Sequence, residues 1–387
     1  MHRFILMWVL SFVSFCTTAQ VKVGAERMEE YLPVLSGKKV GVVANHTALI
    51  GTSHLVDSLL KKGIQIVKVF SPEHGFRGNA DAGEAVRSDK DPGTGLPIIS
   101  LYGKNKKPYN NQLENVDLLV FDIQDVGARF YTYISTMSYV MEAAAENNIP
   151  FIVLDRPNPN GHYVDGPVLK PGFESFVGMH HIPIVHGMTV GEYARMVNGE
   201  GWLANGVKCD LKVVKCQGYD HKTRYKLPVK PSPNLPNMSS VYLYPTLCLF
   251  ESTTLSVGRG TDKPFQVIGH PDIHGRYSFT PHPTEGASKN PKWKGVECHG
   301  YDLSTFGIEF MPDYDKIYLY WILNIYSTFP KKDKFFKPFF DKLAGIDELR
   351  KQIIAGKTEK EIRESWQEDL LTFKAVRKKY LLYKDFE

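Results

Sequence analysis

Short apolar runs that alternate with segments of helical spacing constrain the fold of this chain most strongly. The predicted strands span residues 39–45, 64–70, 98–102, 116–123, 150–154 and 208–215. The predicted helices span residues 53–62, 130–147 and 189–198, with Ser53 and Thr189 as their N-caps. Strands that are apolar on both faces and alternate with helices indicate a parallel sheet covered on both sides. The right-handed crossover rule then favours an α/β fold with a doubly wound, Rossmann-like, mostly parallel sheet.

The composition changes after about residue 269, where Pro, His, Tyr and Lys become frequent. We therefore predict a signal peptide over 1–19, a Rossmann-like domain over 20–265 and a smaller α+β C-terminal domain over 266–387. A further helix is predicted over 244–256, just before this boundary. Within the C-terminal domain, strand-like pieces over 300–311 precede predicted helices over 316–326, 346–355 and 359–366.

The first residues have the order of charge and hydropathy that is typical of a secretory signal. A basic start precedes an apolar run over 4–15, and small residues end at Ala19, so we expect the mature chain to begin near Gln20. Cys16 could instead carry the lipid of a bacterial lipoprotein, but the bulky Phe15 before it makes this the weaker alternative. The expected location is periplasmic or secreted, with no integral membrane segment after cleavage of the signal.

Charge and motif spacing exclude several classes of function. Lys and Arg number 47 against 42 Asp and Glu, a net charge of +5 with no dense basic run before the C-terminal third, so we predict no nucleic-acid partner. No Gly-x-Gly-x-x-Gly motif follows the first strand, no cysteine or histidine spacing indicates a metal, and no Gly-x-Ser-x-Gly elbow is present. We expect no cofactor and no metal. The four cysteines beyond the signal are predicted to be buried free thiols: Cys209, Cys216, Cys248 and Cys298.

A first polar cluster follows the strand that ends at Phe70, in the sequence FSPEHGFRG over 70–78. It places Glu73, His74 and Arg77 where ligands bind in open α/β sheets, outside the carboxyl ends of the strands. A long glycine-rich loop over 78–95 follows, and such loops are often functional. The alternative is a structural loop in which Arg77 forms an ion pair with Glu73.

Two further clusters follow later strands. The sequence FDIQDVGARFYTY over 121–133 and the sequence LDRPNPNG over 154–161 both join carboxylates to an arginine. Three such clusters at one sheet edge favour a polar pocket over three independent salt bridges. Paired carboxylates in a cleft serve glycosidic cleavage, and His or Arg beside them can hold a carboxylate or hydroxyls. Nearby aromatic residues could stack on sugars or simply fill the core: Phe76, Tyr131, Tyr133 and Trp202.

Six sequence blocks in order resemble one family, the exo-β-N-acetylmuramidases of glycoside hydrolase family 171. The blocks are VGVVANHTA (40–48), FSPEHGFRG (70–78), FDIQDVGARFYTY (121–133), LDRPNPNG (154–161), HGMTVGEYA (186–194) and ESTTLSVGRGTDKPF (251–265). The resemblance implies a Rossmann-like catalytic domain and a smaller C-terminal domain with a cleft between them. It also implies release of terminal N-acetylmuramic acid from the non-reducing ends of peptidoglycan fragments, in wall turnover or recycling.

The resemblance implies that Glu73 is the acid/base of this reaction. Its partner carboxylate stays open among Asp122, Asp125 and Glu251, and the substrate's own acetamido group is a further alternative. Arginines are candidates for the lactyl carboxylate of muramic acid, because their planar fork binds carboxylates in two places: Arg77, Arg129, Arg156 and Arg259. The other predicted substrate-binding residues are Asn45, His46, His74, Gln124, Tyr131, Asp155, Asn158 and His186.

Two other functions remain open at this point. The same pocket could belong to a non-catalytic protein that binds peptidoglycan or other glycans. An esterase or amidase acting on the lactyl-peptide linkage is a weaker alternative. The density of acids at the strand ends favours the glycosidase, since binding alone needs neutral hydrogen-bonding groups and aromatic rings more than carboxylates.

Overall fold

The computed structural model describes residues 20–77 and 89–387. The predicted signal peptide and residues 78–88 of the predicted glycine-rich loop lie outside the described residues. The described strands are β1 Lys39–Ala44, β2 Leu49–Ile50, β3 Ser53–His54, β4 Gln65–Ser71, β5 Asp89–Lys90, β6 Pro97–Ser100, β7 Leu118–Asp122, β8 Phe151–Leu154, β9 Leu211–Val214, β10 Val267–His270, β11 Tyr277–Phe279 and β12 Cys298–Asp302.

The described α-helices are α1 Met28–Leu35, α2 Leu55–Lys61, α3 Asn110–Leu113, α4 Tyr133–Glu146, α5 Val190–Gly199, α6 Met238–Leu247, α7 Ser304–Glu309, α8 Tyr320–Thr328, α9 Phe340–Ala344, α10 Glu348–Ile354, α11 Glu359–Glu364 and α12 Gln367–Lys378. Short 3₁₀ helices occur at Gly24–Glu26, Ala204–Gly206, Cys248–Ser252, Met311–Asp313 and Lys332–Lys334. No helix in the described part of the chain is both long and apolar enough to cross a membrane.

The large sheet has the spatial order β5-β6-β4-β1-β7-β8-β9. All its strands are parallel except the edge strand β5, which pairs antiparallel with β6. Counted along the chain, the six parallel strands lie in the order 3-2-1-4-5-6, the order of a Rossmann sheet. The Rossmann-like prediction is therefore confirmed. The strand order reverses between β1 and β7, so the binding crevice of this fold is expected at their carboxyl ends.

Both faces of the sheet are buried, as the uniformly apolar strands require. Successive side chains of a strand point to opposite faces. Val43 and Phe121 thus join a cluster with helices α4 and α5, whereas Val42 and Val120 join a second cluster with α1 and α2. The first cluster also includes Trp366 and other side chains of the C-terminal helices, so the C-terminal part of the chain packs directly against the Rossmann-like part.

The C-terminal part contains an antiparallel sheet with the order β10-β12-β11 and helices α7 to α12. This agrees with the predicted second α+β unit; the boundary at residue 265 stays a prediction. The predicted strand pieces over 300–311 are wrong in their second half, where α7 forms. Helix α12 was not predicted. Cys209, Cys216, Cys248 and Cys298 are buried and free, as expected.

Helix ends show where local signals were read correctly. Thr189 caps α5: its side chain accepts a hydrogen bond from the Glu192 backbone N–H, as predicted. The predicted cap Ser53 is wrong, because Ser53 lies in β3 and the His54 ring instead accepts from the backbone N–H of Val56. The helix predicted over 244–256 is also displaced, since the Asn237 side chain caps α6.

Candidate active site

A pocket that is partly open to solvent lies at the carboxyl edge of the large sheet. The loop after β4, the residues just before α4 and a proline-rich segment over 226–236 meet there. The lining residues are Glu73, His74, Phe130, Tyr131, Thr132, Tyr133, Ser232, Asn234, Leu235, Tyr244, Arg259 and Phe265. Aromatic rings and amide or hydroxyl groups dominate this surface, and among the described lining residues Glu73 carries the only carboxylate.

Glu73 reaches the pocket because the chain turns sharply after β4. The backbone N–H of Gly75 donates to the Pro72 carbonyl, and His74 and Gly75 both have left-handed φ angles, 68° and 76°. The Thr132 hydroxyl donates to Oε2 of Glu73 at 3.2 Å. The hydroxyl of Tyr102 lies nearby, and burial together with the negative charge of Glu73 raises the pKa of Tyr102.

The predicted alternative, an ion pair between Arg77 and Glu73, is wrong. Arg77 turns away and donates to Asp91, with Nη2 to Oδ2 at 2.8 Å, and it also contacts Asp57 at 3.4 Å. Its guanidinium lies over the Phe76 ring, 4.5 Å from the centroid. The carboxylate of Glu73 therefore accepts a hydrogen bond from a hydroxyl of the pocket and does not pair with its neighbour in sequence.

Several buried polar atoms around the pocket have no hydrogen-bond partner among the described residues: Asn45 Nδ2, Tyr131 Oη and Asn234 Oδ1. Asn45 lies beside Tyr133, whose ring contacts Tyr131 with centroids 4.8 Å apart. Native proteins leave few buried polar groups unsatisfied, so a cluster of them calls for an explanation. A polar ligand that enters the pocket would satisfy them.

Arg259 brings a positive charge to the opposite wall. Its Nε and Nη2 donate to both carboxylate oxygens of Glu251, at 2.6 and 2.7 Å. Burial opposes the charge on Glu251, but the guanidinium outweighs it and holds the pKa of this carboxyl below its usual value. Arg259 also lies over the Phe265 ring, 4.9 Å from the centroid. Glu251 thus orients Arg259 and lies behind it rather than in the pocket lining.

The other predicted acids and arginines are engaged away from the pocket. Arg156 pairs with Asp122 through two hydrogen bonds, at 2.5 and 2.8 Å, and both side chains are buried. Asp155 accepts from the Thr189 hydroxyl and from the backbone of Gly191, so it fixes the start of α5. These three residues stabilise the connection between strand ends and helices.

Two residues of the β7–α4 turn are also buried outside the pocket lining. Asp125 accepts a hydrogen bond from the Gly127 backbone at 2.7 Å, its Oδ2 has no partner among the described residues, and burial raises its pKa to about 7. Arg129 donates to the carbonyls of Pro167, Ile182 and Leu343, and burial lowers its pKa to about 9.

The remaining predicted substrate-binding residues lie outside the pocket lining, some near it and some in the protein interior. His46 binds the Lys230 carbonyl at 2.8 Å through Nε2, next to the proline-rich segment, and burial lowers its pKa. His186 is buried among core residues, where burial lowers its pKa to about 3. Gln124 and Asn158 hold loops together through backbone carbonyls. Within the described ranges, no group of three His, Cys, Asp or Glu side chains could hold a metal ion.

Sequence reasoning missed half of the pocket. The lining residues not proposed from sequence are Phe130, Thr132, Ser232, Asn234, Leu235, Tyr244 and Phe265. Tyr102, which lies near Glu73, was not proposed either. Ser232, Asn234 and Leu235 belong to a proline-rich segment over 226–236, whose distance along the chain from Glu73 concealed the contact. Trp202, proposed for stacking on sugars, instead stacks on His180.

Comparisons with known proteins show the family of this chain. The family descriptions "Exo-beta-N-acetylmuramidase NamZ, N-terminal" and "C-terminal" match residues 40–239 and 242–383. The peptidoglycan beta-N-acetylmuramidase NamZ of Bacillus subtilis (strain 168) is 43% identical over 381 residues, which cover 92% of this chain and 89% of that protein.

Two solved structures share the fold over nearly the whole chain. Both are DUF1343 family proteins from Bacteroides fragilis NCTC 9343. The first is 47% identical with a TM-score of 0.88 and covers 95% of this chain and 100% of its own. The second is 32% identical with a TM-score of 0.81 and covers 94% and 99%.

The Rossmann-like fold and the acid-bearing pocket, together with these matches, define the protein as a glycoside hydrolase. More narrowly, the chain belongs to the exo-β-N-acetylmuramidase NamZ family, the family that its six sequence blocks indicated.

Proposed function

We propose that this enzyme releases terminal N-acetylmuramic acid from the non-reducing ends of peptidoglycan fragments. The observation that carries the proposal is the position of Glu73, which has the only carboxylate among the described lining residues of a pocket of aromatic rings and polar groups. The relative from Bacillus subtilis, which is named as a peptidoglycan beta-N-acetylmuramidase, supports the choice of substrate.

In the proposed reaction Glu73 is the general acid. Its protonated carboxyl donates a proton to the glycosidic oxygen while the bond from that oxygen to the anomeric carbon breaks. The hydroxyl of Thr132 keeps the carboxyl aimed at the bond. Water then adds to the anomeric carbon and returns a proton to Glu73, so the enzyme is restored.

The second catalytic group is proposed to come from the substrate. Asp122 is occupied by Arg156, and Glu251 is occupied by Arg259. Asp125 is buried outside the pocket lining and retains its proton up to about pH 7. These placements favour attack by the acetamido oxygen of the muramic acid on its own anomeric carbon while the glycosidic bond breaks, as in other substrate-assisted glycosidases. The new bond between the acetamido oxygen and the anomeric carbon then breaks when water adds to that carbon, which restores the acetamido group.

The variant Glu73→Gln tests the proposal directly. It keeps the shape of the side chain and removes the proton, so turnover of an N-acetylmuramyl-N-acetylglucosamine disaccharide should fall roughly 10²- to 10⁴-fold. An aryl muramide with a good leaving group should lose less, because its departure needs less protonation. Asp57→Asn, a carboxylate variant outside the pocket, serves as the matched control and should keep full activity.

A Glu73→Gln variant that cleaves the disaccharide at the wild-type rate would contradict the assignment of the acid. A wild-type protein that binds the disaccharide without cleaving it would instead support the non-catalytic glycan-binding alternative.

We also propose that the enzyme works outside the cytoplasm, in wall turnover or recycling. The basic start, the apolar run and the small residues before Gln20 support export. The mass of the mature chain decides between cleavage near Gln20 and a lipid on Cys16.

A further inference from the structure

Two hydroxyl-bearing side chains lie near Glu73. Thr132 lines the pocket and donates to the carboxylate, whereas Tyr102, the other hydroxyl near the carboxylate, is not among the described lining residues. A general acid touches the oxygen that joins two sugars. If the released sugar occupies the pocket, the rest of the saccharide extends from the cleaved bond, beside Glu73, to the protein surface outside the pocket. Tyr102 belongs to that surface.

Tyr102 begins a continuous aromatic surface. Its ring centroid lies 6.3 Å from that of Phe176, and Phe176 is in turn stacked with Tyr139 at 6.3 Å and an interplanar angle of 14°. The ammonium of Lys106 lies 4.5 Å from the Phe176 centroid. All four side chains are partly exposed. We call this group, Tyr102, Lys106, Tyr139 and Phe176, the aromatic shelf.

The shelf is built before any ligand arrives. Phe176 is at the tip of a tight turn, where the backbones of Ser175 and Gly178 exchange two hydrogen bonds at 2.9 and 3.0 Å. On the other side, Lys107 ties the Tyr102 loop to helix α4 through Glu146 at 2.7 Å. Such preorganisation is what a binding surface needs, because little conformational entropy is lost when the ligand binds.

We infer that the aromatic shelf binds the leaving saccharide of the substrate. The first sugar beyond the cleaved bond stacks its apolar face against Tyr102 and Phe176, while Lys106 meets a carboxylate further along. Peptidoglycan suits this arrangement, because its glycan alternates neutral N-acetylglucosamine with N-acetylmuramic acid, which carries a lactyl carboxylate. The inference rests on the proposed function and extends it from the binding of the released muramic acid to the binding of the leaving saccharide.

Three substrates separate the parts of the shelf. An aryl muramide has no leaving sugar, and a muramyl-glucosamine disaccharide has one neutral leaving sugar. A trisaccharide with a second muramic acid after the glucosamine adds a lactyl carboxylate to the leaving saccharide. Phe176→Ala should raise KM for the disaccharide and the trisaccharide roughly tenfold, equivalent to the loss of one aromatic contact, with the aryl muramide unchanged. Lys106→Gln should raise KM for the trisaccharide alone, and added salt should reduce this difference.

Phe339→Ala is the matched control, since Phe339 is 49% exposed in the C-terminal part and should affect none of the three substrates. Unchanged kinetics with the aryl muramide also show that each variant is folded. Equal losses on all three substrates, or no loss on any, would overturn the inference while leaving the proposed function intact. A wild-type protein that cleaves none of them would refute both.

Discussion

At the scale of single residues, Arg259 is the arginine best placed to read the substrate. It lines the pocket, and its Nε and Nη2 are bound to Glu251. Nη1 has no protein acceptor among the described residues, so it can meet the lactyl carboxylate that distinguishes muramic acid from glucosamine. A guanidinium held in this way forms charge-assisted hydrogen bonds of fixed direction.

Replacing Arg259 by Gln should therefore lower kcat/KM for an aryl muramide roughly ten- to hundredfold, the worth of one hydrogen bond to a charged group. The value for the matching glucosaminide should change far less. The double variant Glu251→Gln, Arg259→Gln avoids leaving a carboxylate unpaired and should show the same loss of preference. Arg77→Gln is the control, because Arg77 pairs with Asp57 and Asp91. Retained preference for the muramide in both Arg259 variants would mean that another group reads the lactyl carboxylate.

The four candidate arginines also show how far residue-level prediction reaches. All four follow strands or helices in sequence patterns that look equally functional. Arg156 forms an ion pair with Asp122, which lies 34 positions away along the chain. Arg129 donates hydrogen bonds to carbonyls up to 214 positions away. The partners that decide each role come from distant parts of the chain, so spacing alone could not separate Arg259 from the others.

At the scale of elements, the turn between β7 and α4 contains a buried acid with a marked pH response. Gly127 has a φ of 76°, and a side chain there would collide with Asn158, so the turn around Asp125 is tightly determined. Burial raises the pKa of Asp125 to about 7. The native state therefore keeps a proton that the unfolded chain releases near pH 4, and stability falls as pH rises between these values.

Asp125→Asn removes this titration. Relative to the variant, the wild type should lose up to about 1.4 kcal/mol of unfolding free energy per pH unit between about pH 4 and 7, as measured by chemical denaturation. Asp57→Asn, at an exposed site, should follow the wild type. Parallel pH profiles for the wild type and Asp125→Asn would show that Asp125 is ionised throughout this range.

Helices and strands were predicted best where burial in the hydrophobic core determines the local structure. The strands β1, β4, β7 and β8 are apolar on both faces, and their sequence signal matches their burial. The C-terminal helices were harder because polar residues interrupt them and tertiary packing decides which pieces become helical. Helix α12, with Leu370 and Phe373 buried and charged residues elsewhere, is stabilised by its contact with the rest of the chain.

At the scale of the whole molecule, Arg129 joins the two parts of the chain. It leaves the β7–α4 turn and ends at the Leu343 carbonyl near the end of α9, and no acid among the described residues pairs with it. Arg129→Met would leave the buried carbonyls of Pro167 and Leu343 without donors, each worth about 1–3 kcal/mol, whereas the Ile182 carbonyl keeps its Leu169 backbone donor. We expect a loss of roughly 2 kcal/mol or more in urea denaturation. Arg276→Met, at an exposed site, is the control; equal stability of both variants would refute the tie.

The last residues of the chain return to the Rossmann-like part. Tyr383 donates to Asp155, the backbone of Leu382 donates to Glu192, and Arg377 donates to the Gly187 carbonyl. In evolutionary terms, the two parts are not interchangeable modules, although separate family descriptions cover them. A gene fusion that supplied the first part with a foreign partner would remove the Tyr383 and Leu382 donors from two buried carboxylates, those of Asp155 and Glu192, so we expect the two halves to be inherited together.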